Sequence, residues 1–291
     1  AVTSSADLLK NIFYGYEIAD KSRATGWLRS YFGHELPKHK LDRAYDSVEE
    51  FFTRKFDGVF GGQITAGDGL FLACMMERVC PSKVIEFGVA SGYSSAFILH
   101  HAEIMGILRD RVFLYSYDLV KETSAGLETG SLLRAQFPQF EKYWTLQCEV
   151  TSADLALGRG ECPDIANDES VLAFVDGGHN HPWPLMDLAY LRSLLGANSW
   201  VVMQDTQMME RWIADCVKFG TTCPAPVRGV NLAVSLWPGR KILGQDICYN
   251  SAAVQLNVSN IEFDSYAKDM LRYRDEIEFA HRDLIFAQHR S

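Results

Sequence analysis

The stretch Lys83-Val84-Ile85-Glu86-Phe87-Gly88-Val89-Ala90-Ser91-Gly92-Tyr93-Ser94 constrains what this chain can fold into more than any other. A short apolar run ends on an acidic residue, turns on Gly88 and Gly92, and opens through Ser94 into Ala96-Phe97-Ile98-Leu99. That order predicts a strand, a glycine turn and a helix start. In open α/β sheets ligands bind beyond the carboxyl ends of the strands, and a first strand-turn-helix unit is where a nucleotide-like cofactor sits. A dinucleotide would want G-x-G-x-x-G, so that the backbone can touch a pyrophosphate. Here Ala90 holds the middle glycine position and Tyr93 the last. Glu86 adds negative charge where a pyrophosphate would lie, and favours a cationic, phosphate-free cofactor carrying an ammonium group.

S-adenosylmethionine is such a molecule. The segment Glu86 to Ser94 resembles the first motif of the class I S-adenosylmethionine-dependent methyltransferases, and among them the cation-dependent O-methyltransferases of the catechol and caffeoyl-CoA type. Gly61-Gly62-Gln63-Ile64 is similar to the segment those enzymes carry ahead of the first strand. Phe174-Val175-Asp176-Gly177-Gly178-His179 and Val202-Met203-Gln204-Asp205-Thr206 resemble bacterial sugar and natural-product O-methyltransferases. The likeness covers roughly residues 61 to 250.

Apolar runs at Val112–Tyr117, Trp144–Val150, Val171–Val175, Trp200–Met203 and Asn231–Trp237 read as further strands, separated by helical or loop stretches. Alternating strands and helices predict a mainly parallel sheet with right-handed crossovers and helices on both faces. With the resemblance, the fold class is α/β, a Rossmann-like class I methyltransferase with a seven-stranded sheet. A final antiparallel hairpin is expected around Trp237-Pro238-Gly239, with a strand near Ile247 to Asn250. Residues 1–60 read as a helical N-terminal cap, 61–250 as the methyltransferase domain and 251–291 as a C-terminal helix. In the cap, Leu8, Leu9, Ile12, Phe13 and Tyr16 recur at helical spacing, and Ser47-x-x-Glu50 reads as a capping box for a second helix. Such a cap covers the substrate pocket in this enzyme class, or merely packs. Asp68 reads as the cap of the helix that Pro81 stops. Phe263, Tyr266, Met270, Tyr273, Ile277, Ala280, Leu284 and Ala287 form a heptad seam. Either its own domain or a second subunit could take that seam, and a homodimer or higher homo-oligomer is the expectation.

A formal net charge of -9 argues against nucleic-acid and anionic-membrane partners. No apolar run is long enough to span a bilayer and no signal-peptide pattern opens the sequence. Cys74, Cys80, Cys148, Cys162, Cys216, Cys223 and Cys248 are odd in number and include no C-x-x-C pair. They read as buried free thiols in a reducing cytoplasm.

Several residues could carry chemistry. The resemblance places the donor on Glu86, Gly88, Ser91, Gly92 and Ser94, with Asp118 on the ribose hydroxyls and Thr151 near the adenine. Independently, Asp118 ends a strand where dinucleotide folds bind ribose, although an Asp that merely terminates a strand would look the same. Ser94 opens a helix, where the dipole favours a carboxylate, and it could equally be an N-cap. Asp176 and Asp205 end adjacent strands and suit a hard divalent cation such as Mg²⁺. Thr206 stands where catechol-type enzymes place an Asn ligand, and His179 where they place a lysine. His179 is the expected general base, with His181 as the alternative. Asp205 could instead cap a helix over Met208–Phe219. The sequence thus points to methyl transfer onto a hydroxyl of a small molecule. The rivals are a nicotinamide-dependent oxidoreductase and a non-catalytic binding protein that keeps the fold.

Overall fold

A computed structural model describes residues 21–272 except 55, 57–63, 124, 167–168, 180, 207–228 and 246–247. Helices α1 (Lys21–Phe32), α2 (Lys38–Phe52) and α3 (Ala66–Val79) precede β1 (Lys83–Phe87), and α4 (Tyr93–Ile104) follows the glycine turn. Then come β2 (Leu114–Asp118), α5 (Ser131–Gln136), β3 (Trp144–Cys148), α6 (Ser152–Ala156), β4 (Val171–Val175), α7 (Trp183–Leu194) and β5 (Trp200–Gln204). The chain continues through α8 (Gly229–Leu236), β6 (Lys241–Leu243) and β7 (Ser251–Gln255) into a helix, α9, over 260–272.

The strands form one seven-stranded sheet in the order β3-β2-β1-β4-β5-β7-β6. Every pairing from β3 to β5 is parallel, and β7 runs antiparallel to both neighbours. This is the seven-stranded, mainly parallel α/β sheet expected from the sequence. Side chains alternate across the strands, so Val84, Leu172 and Val202 face one core while Ile85, Ala173 and Val201 face the other. β1, β4 and β5 are buried along their whole length, as strands covered on both faces must be.

The first core includes the described N-terminal segment. Leu28, Leu41, Val48 and Phe51 join Phe71, Phe97 and Phe137 in a single cluster. Phe51 meets Tyr93 and Phe97 edge-on, at ring-centroid separations of 5.2 and 5.3 Å. α1 and α2 therefore pack into the domain core. The expected helix around Leu8 to Tyr16 lies outside the described residues.

Five local expectations are corrected. No helix begins at Ser47: α2 runs unbroken from Lys38 because Leu41, Ala44, Tyr45, Val48 and Phe51 form one continuous buried stripe. The cap of α3 is Thr65, with Asp68, the third residue of the helix, as the reciprocal partner in its capping box. Asn231–Trp237, expected as a strand, lies mostly in α8, where Val230, Ala233 and Val234 are buried at three- and four-residue steps. The antiparallel hairpin is β6 against β7, with Ile242 opposite Ala253, and residues 248–250 are the turn leading into β7. The helix expected over Met208–Phe219 lies outside the described residues, and of the cysteines expected to be buried, Cys74 and Cys248 are, whereas Cys148 is half-buried and Cys80 and Cys162, on segments outside the strands and helices, are exposed.

The described half of the C-terminal seam docks on its own domain. The Trp237 ring contacts Phe263 and Tyr266, and the Tyr266 hydroxyl donates to the Ala233 carbonyl at 3.1 Å. Met270 is fully buried. The rest of the seam, Tyr273 to Ala287, lies outside the described residues.

Candidate active site

Strand register sets the site. Phe87 pairs with Tyr117 on one side and Val175 on the other, and Val175 pairs with Met203. Gly88, Asp118, Asp176 and Asp205 therefore emerge at one edge of the sheet, at the carboxyl ends of parallel strands. The turn after β1 is bound to its neighbours: the Gly88 N–H donates to the Tyr117 carbonyl at 2.9 Å and the Asp176 N–H to the Phe87 carbonyl at 2.8 Å. Gly88 has a φ of +88°, and a Cβ there would lie 2.2 Å from the Asp176 carbonyl oxygen. Gly92, at φ +85°, packs on the backbone of Gly130. Ala90, in the position of a fingerprint glycine, also takes a left-handed conformation, with φ +46°.

Asp118 ties this turn down. Its Oδ2 accepts the N–H groups of Val89 and Ala90 at 2.7 and 2.9 Å, and its Oδ1 accepts that of Val120 at 3.0 Å. Beyond it, Leu119 and Val120 are exposed apolar residues. Ser91 is fully buried, and its hydroxyl has no hydrogen-bond partner among the described residues.

Glu86 lies beneath the turn and is fully buried. Three hydroxyls donate to its carboxylate: Ser94 at 2.6 Å, Ser95 at 2.6 Å and Ser116 at 2.5 Å. The Trp144 indole N–H donates in turn to Ser116 at 2.8 Å. Burial pushes the Glu86 carboxyl above its ordinary range, and the three hydroxyls oppose that shift. The Ser94 hydroxyl, expected to hold a donor carboxylate, donates to Glu86, and Glu86, expected to face an ammonium group, accepts these three hydroxyls. A buried carboxyl group takes the nearest donors, and the helix start supplies two of them. Thr151, expected near the adenine, is committed elsewhere: it caps α6 in a capping box with Asp154, donating to Oδ2 at 2.6 Å.

The second half of the site gathers Asp176, His179 and Asp205. His179 Nε2 lies 3.2 Å from Asp205 Oδ2 and 3.9 Å from Asp176 Oδ1. One ligand atom from each of the three residues lies within 4.8 Å of the other two. Two carboxylates and an imidazole are a donor set that a divalent cation can use, so these residues fit one. Their side chains remain 19, 31 and 9% exposed, respectively, so the group opens to the surface of the cleft. Among the described residues, His181 is not part of this group. The hydroxyl of Thr206, expected as a third ligand, donates to the Tyr249 carbonyl at 3.3 Å.

Two participants escaped the sequence. Asn250 donates to Asp205 Oδ1 at 2.7 Å. Asp68, buried at the start of α3, accepts from Ser251 at 2.7 Å and from Gln204 at 3.2 Å. The Thr65-x-x-Asp68 spacing signals a capping box, but nothing local places that carboxylate against the ends of β5 and β7. Burial raises the Asp176 carboxyl well above the aspartate range, and Asp205, Asp68, Glu86 and Asp118 push it the same way, in that order. The cleft is a concentration of negative potential that a bound cation would relieve.

Residues 85–206 match the model of a family described as a methyltransferase domain. The match runs from within β1 to the residue after Asp205 and so spans both halves of the site. Comparison with curated proteins gives no match. Solved structures similar to the chain include the O-methyltransferase TomG from Streptomyces achromogenes in complex with SAM, at 13% identity and a TM-score of 0.45 over 82% of this chain and 99% of that one. Another is the O-methyltransferase from Bacillus cereus in complex with SAH, at 12% identity and a TM-score of 0.43 over 87% and 98%. A third is the SAH-bound methyltransferase PaMTH1 from Podospora anserina, at 13% identity and a TM-score of 0.45 over 80% and 94%. No helix among the described residues is long and apolar enough to cross a membrane.

Proposed function

We infer, from the methyltransferase domain that spans residues 85–206, that this chain moves a methyl group from S-adenosylmethionine to a hydroxyl oxygen of a small molecule, with a divalent cation beside the acceptor. One observation carries the reading: Asp118, Asp176 and Asp205 stand at the carboxyl ends of β2, β4 and β5, with the turn after β1 between the first two and the buried Glu86 and Asp68 beneath them. A site this acidic suits a sulfonium donor and a metal ion, and repels the pyrophosphate of a nicotinamide dinucleotide.

The donor supplies an electrophilic methyl group, and the cation a Lewis acid that makes a hydroxyl more acidic. The chain supplies positioning. The left-handed backbone at Gly88, Ala90 and Gly92 lets the turn after β1 pack against the backbones of Asp176 and Gly130 and fixes the loop beside Asp118. Asp118 uses three backbone donors out of about four acceptor sites, which leaves one for a ribose hydroxyl. The unpartnered Ser91 hydroxyl is a further candidate contact. Asp176 and Asp205 would hold the cation. His179, oriented by Asp205, takes the acceptor's hydroxyl proton and restores it to water after transfer.

The grouping of His179 with both aspartates favours a second reading, in which the imidazole is itself a ligand. That donor set would prefer Mn²⁺, Fe²⁺ or Zn²⁺ to Mg²⁺.

The test is calorimetric titration of the full chain with S-adenosylmethionine, followed by assay of S-adenosylhomocysteine release with sugar, phenol and aliphatic-alcohol acceptors. Donor binding with turnover on at least one hydroxyl is the expected result. A chain that binds NAD and not S-adenosylmethionine overturns the reading.

A further inference from the structure

Asp205 has a φ of +63°. For a non-glycine residue the left-handed conformation is sterically unfavourable, and it persists where the surroundings over-determine it. Four hydrogen bonds do so here. The Thr206 N–H donates to the Asn250 carbonyl at 3.1 Å, and the Thr206 hydroxyl to the Tyr249 carbonyl at 3.3 Å. The Asn231 amide donates to the Thr206 carbonyl at 2.8 Å. Asn250 then closes on the carboxylate itself, donating from Nδ2 to Asp205 Oδ1 at 2.7 Å. Asn231 comes from α8 and Asn250 from the turn before β7, so two elements distant in sequence hold one strained residue.

The chemistry of the clamp is specific. With Oδ1 held by Asn250, Oδ2 is the oxygen left facing His179, 3.2 Å away. A lysine or arginine at position 250 could also hold the carboxylate, but would neutralise it and compete with a cation. A neutral amide orients the carboxylate and leaves its charge available. We propose that Asn250 is a positioning residue that aims the Asp205 carboxylate into the Asp176–His179 group, with Asn231 fixing the backbone behind it. The proposal rests on the reading above, in which that group holds a divalent cation.

The experiment uses Mn²⁺ as the probe. Binding to the full chain is read from the electron paramagnetic resonance signal of the free ion, and the Mn²⁺-induced rise in Tm is read separately. The wild type, Asn250→Ala, Asn231→Ala and Asp205→Ala are compared, with S-adenosylmethionine affinity measured on each. The expected result is a wild type that binds Mn²⁺, an Asp205→Ala variant that loses most binding, and an Asn250→Ala variant weakened by about 10–100-fold with unchanged donor affinity. Asn231→Ala should weaken binding in the same direction, and it carries the test if Asn250→Ala does not fold. Mn²⁺ affinity equal to wild type in the folded asparagine variants overturns the proposal while the cation reading stands. Equal affinity in Asp205→Ala, or no binding by the wild type, overturns the cation reading and the clamp together.

Discussion

Gly88 and Asp176 stand so close that a methyl group on the first would lie 2.2 Å from the carbonyl oxygen of the second. The contact joins the two informative stretches of the sequence, the turn after β1 and the end of β4, and it is backbone against backbone, so no side-chain rotation can relieve it. Gly88→Ala should lose about 2–5 kcal/mol, combining the left-handed penalty with overpacking. Urea denaturation checks this, and an unchanged midpoint would mean that the turn sits differently.

Ala90 gives the opposite expectation. At φ +46° it bears a steric cost that glycine would not, while glycine adds chain entropy to the unfolded state. Ala90→Gly should therefore be neutral or stabilising by up to about 1 kcal/mol. A clear fall in Tm would show that the alanine methyl is needed for packing.

His179 and Asp176 carry the functional prediction. His179→Ala should reduce turnover by ~10²-fold or more with donor binding nearly intact, as for removal of a general base. Asp176→Ala should abolish stimulation by divalent cations. Should the histidine instead be a ligand, His179→Ala would lose metal affinity together with rate, and metal titration separates the two roles. Normal turnover in His179→Ala removes the residue from the chemistry.

Asp187 offers a pH dependence away from the site. Burial in α7 pushes its carboxyl up to about 6, and the nearby Ser152 hydroxyl opposes the shift. The folded protein thus holds this proton more tightly than the unfolded chain does. Stability from Asp187 is greatest below the ordinary aspartate range and is lost as pH rises from about 4 through about 6, by on the order of 3 kcal/mol in total. Asp187→Asn should flatten that part of the stability profile. An unaltered slope between pH 4 and about 6 would refute the assignment.

Buried and exposed ion pairs should behave differently. Arg43 donates to both oxygens of Glu77, whose side chain is fully buried, and His101 Nε2 lies 3.6 Å from the same carboxylate. Burial drives the His101 imidazole down to about 3, so it is neutral at physiological pH and does not compensate Glu77. Arg43→Leu strands a buried carboxylate and should cost about 3–5 kcal/mol. Lys121 pairs with Glu149 with both side chains about two-thirds exposed, and Lys121→Ala should leave the urea midpoint nearly unchanged. Equal losses would contradict the burial argument.

Much of the architecture was legible because its signals are local. Val171–Val175 matches β4 residue for residue, since an unbroken apolar run between polar flanks is what a strand covered on both faces requires. Asn231–Trp237 misled because a short apolar run fits strand and helix alike. Its three- and four-residue burial pattern emerges only against α7 and β7. Ser47 looked like a cap because cap residues are recognised by type, whereas a continuous buried stripe decides where α2 begins.

By itself the sequence determined the alternation of strands and helices, the glycine turn and the acids at the strand ends, because periodicity, backbone freedom and charge belong to short segments. Tertiary structure alone decided the use of each polar group: Ser94 for Glu86, Thr206 for Tyr249, Asn250 for Asp205. A buried donor or acceptor must find a partner within hydrogen-bond reach, and which partners come within reach depends on how distant segments pack.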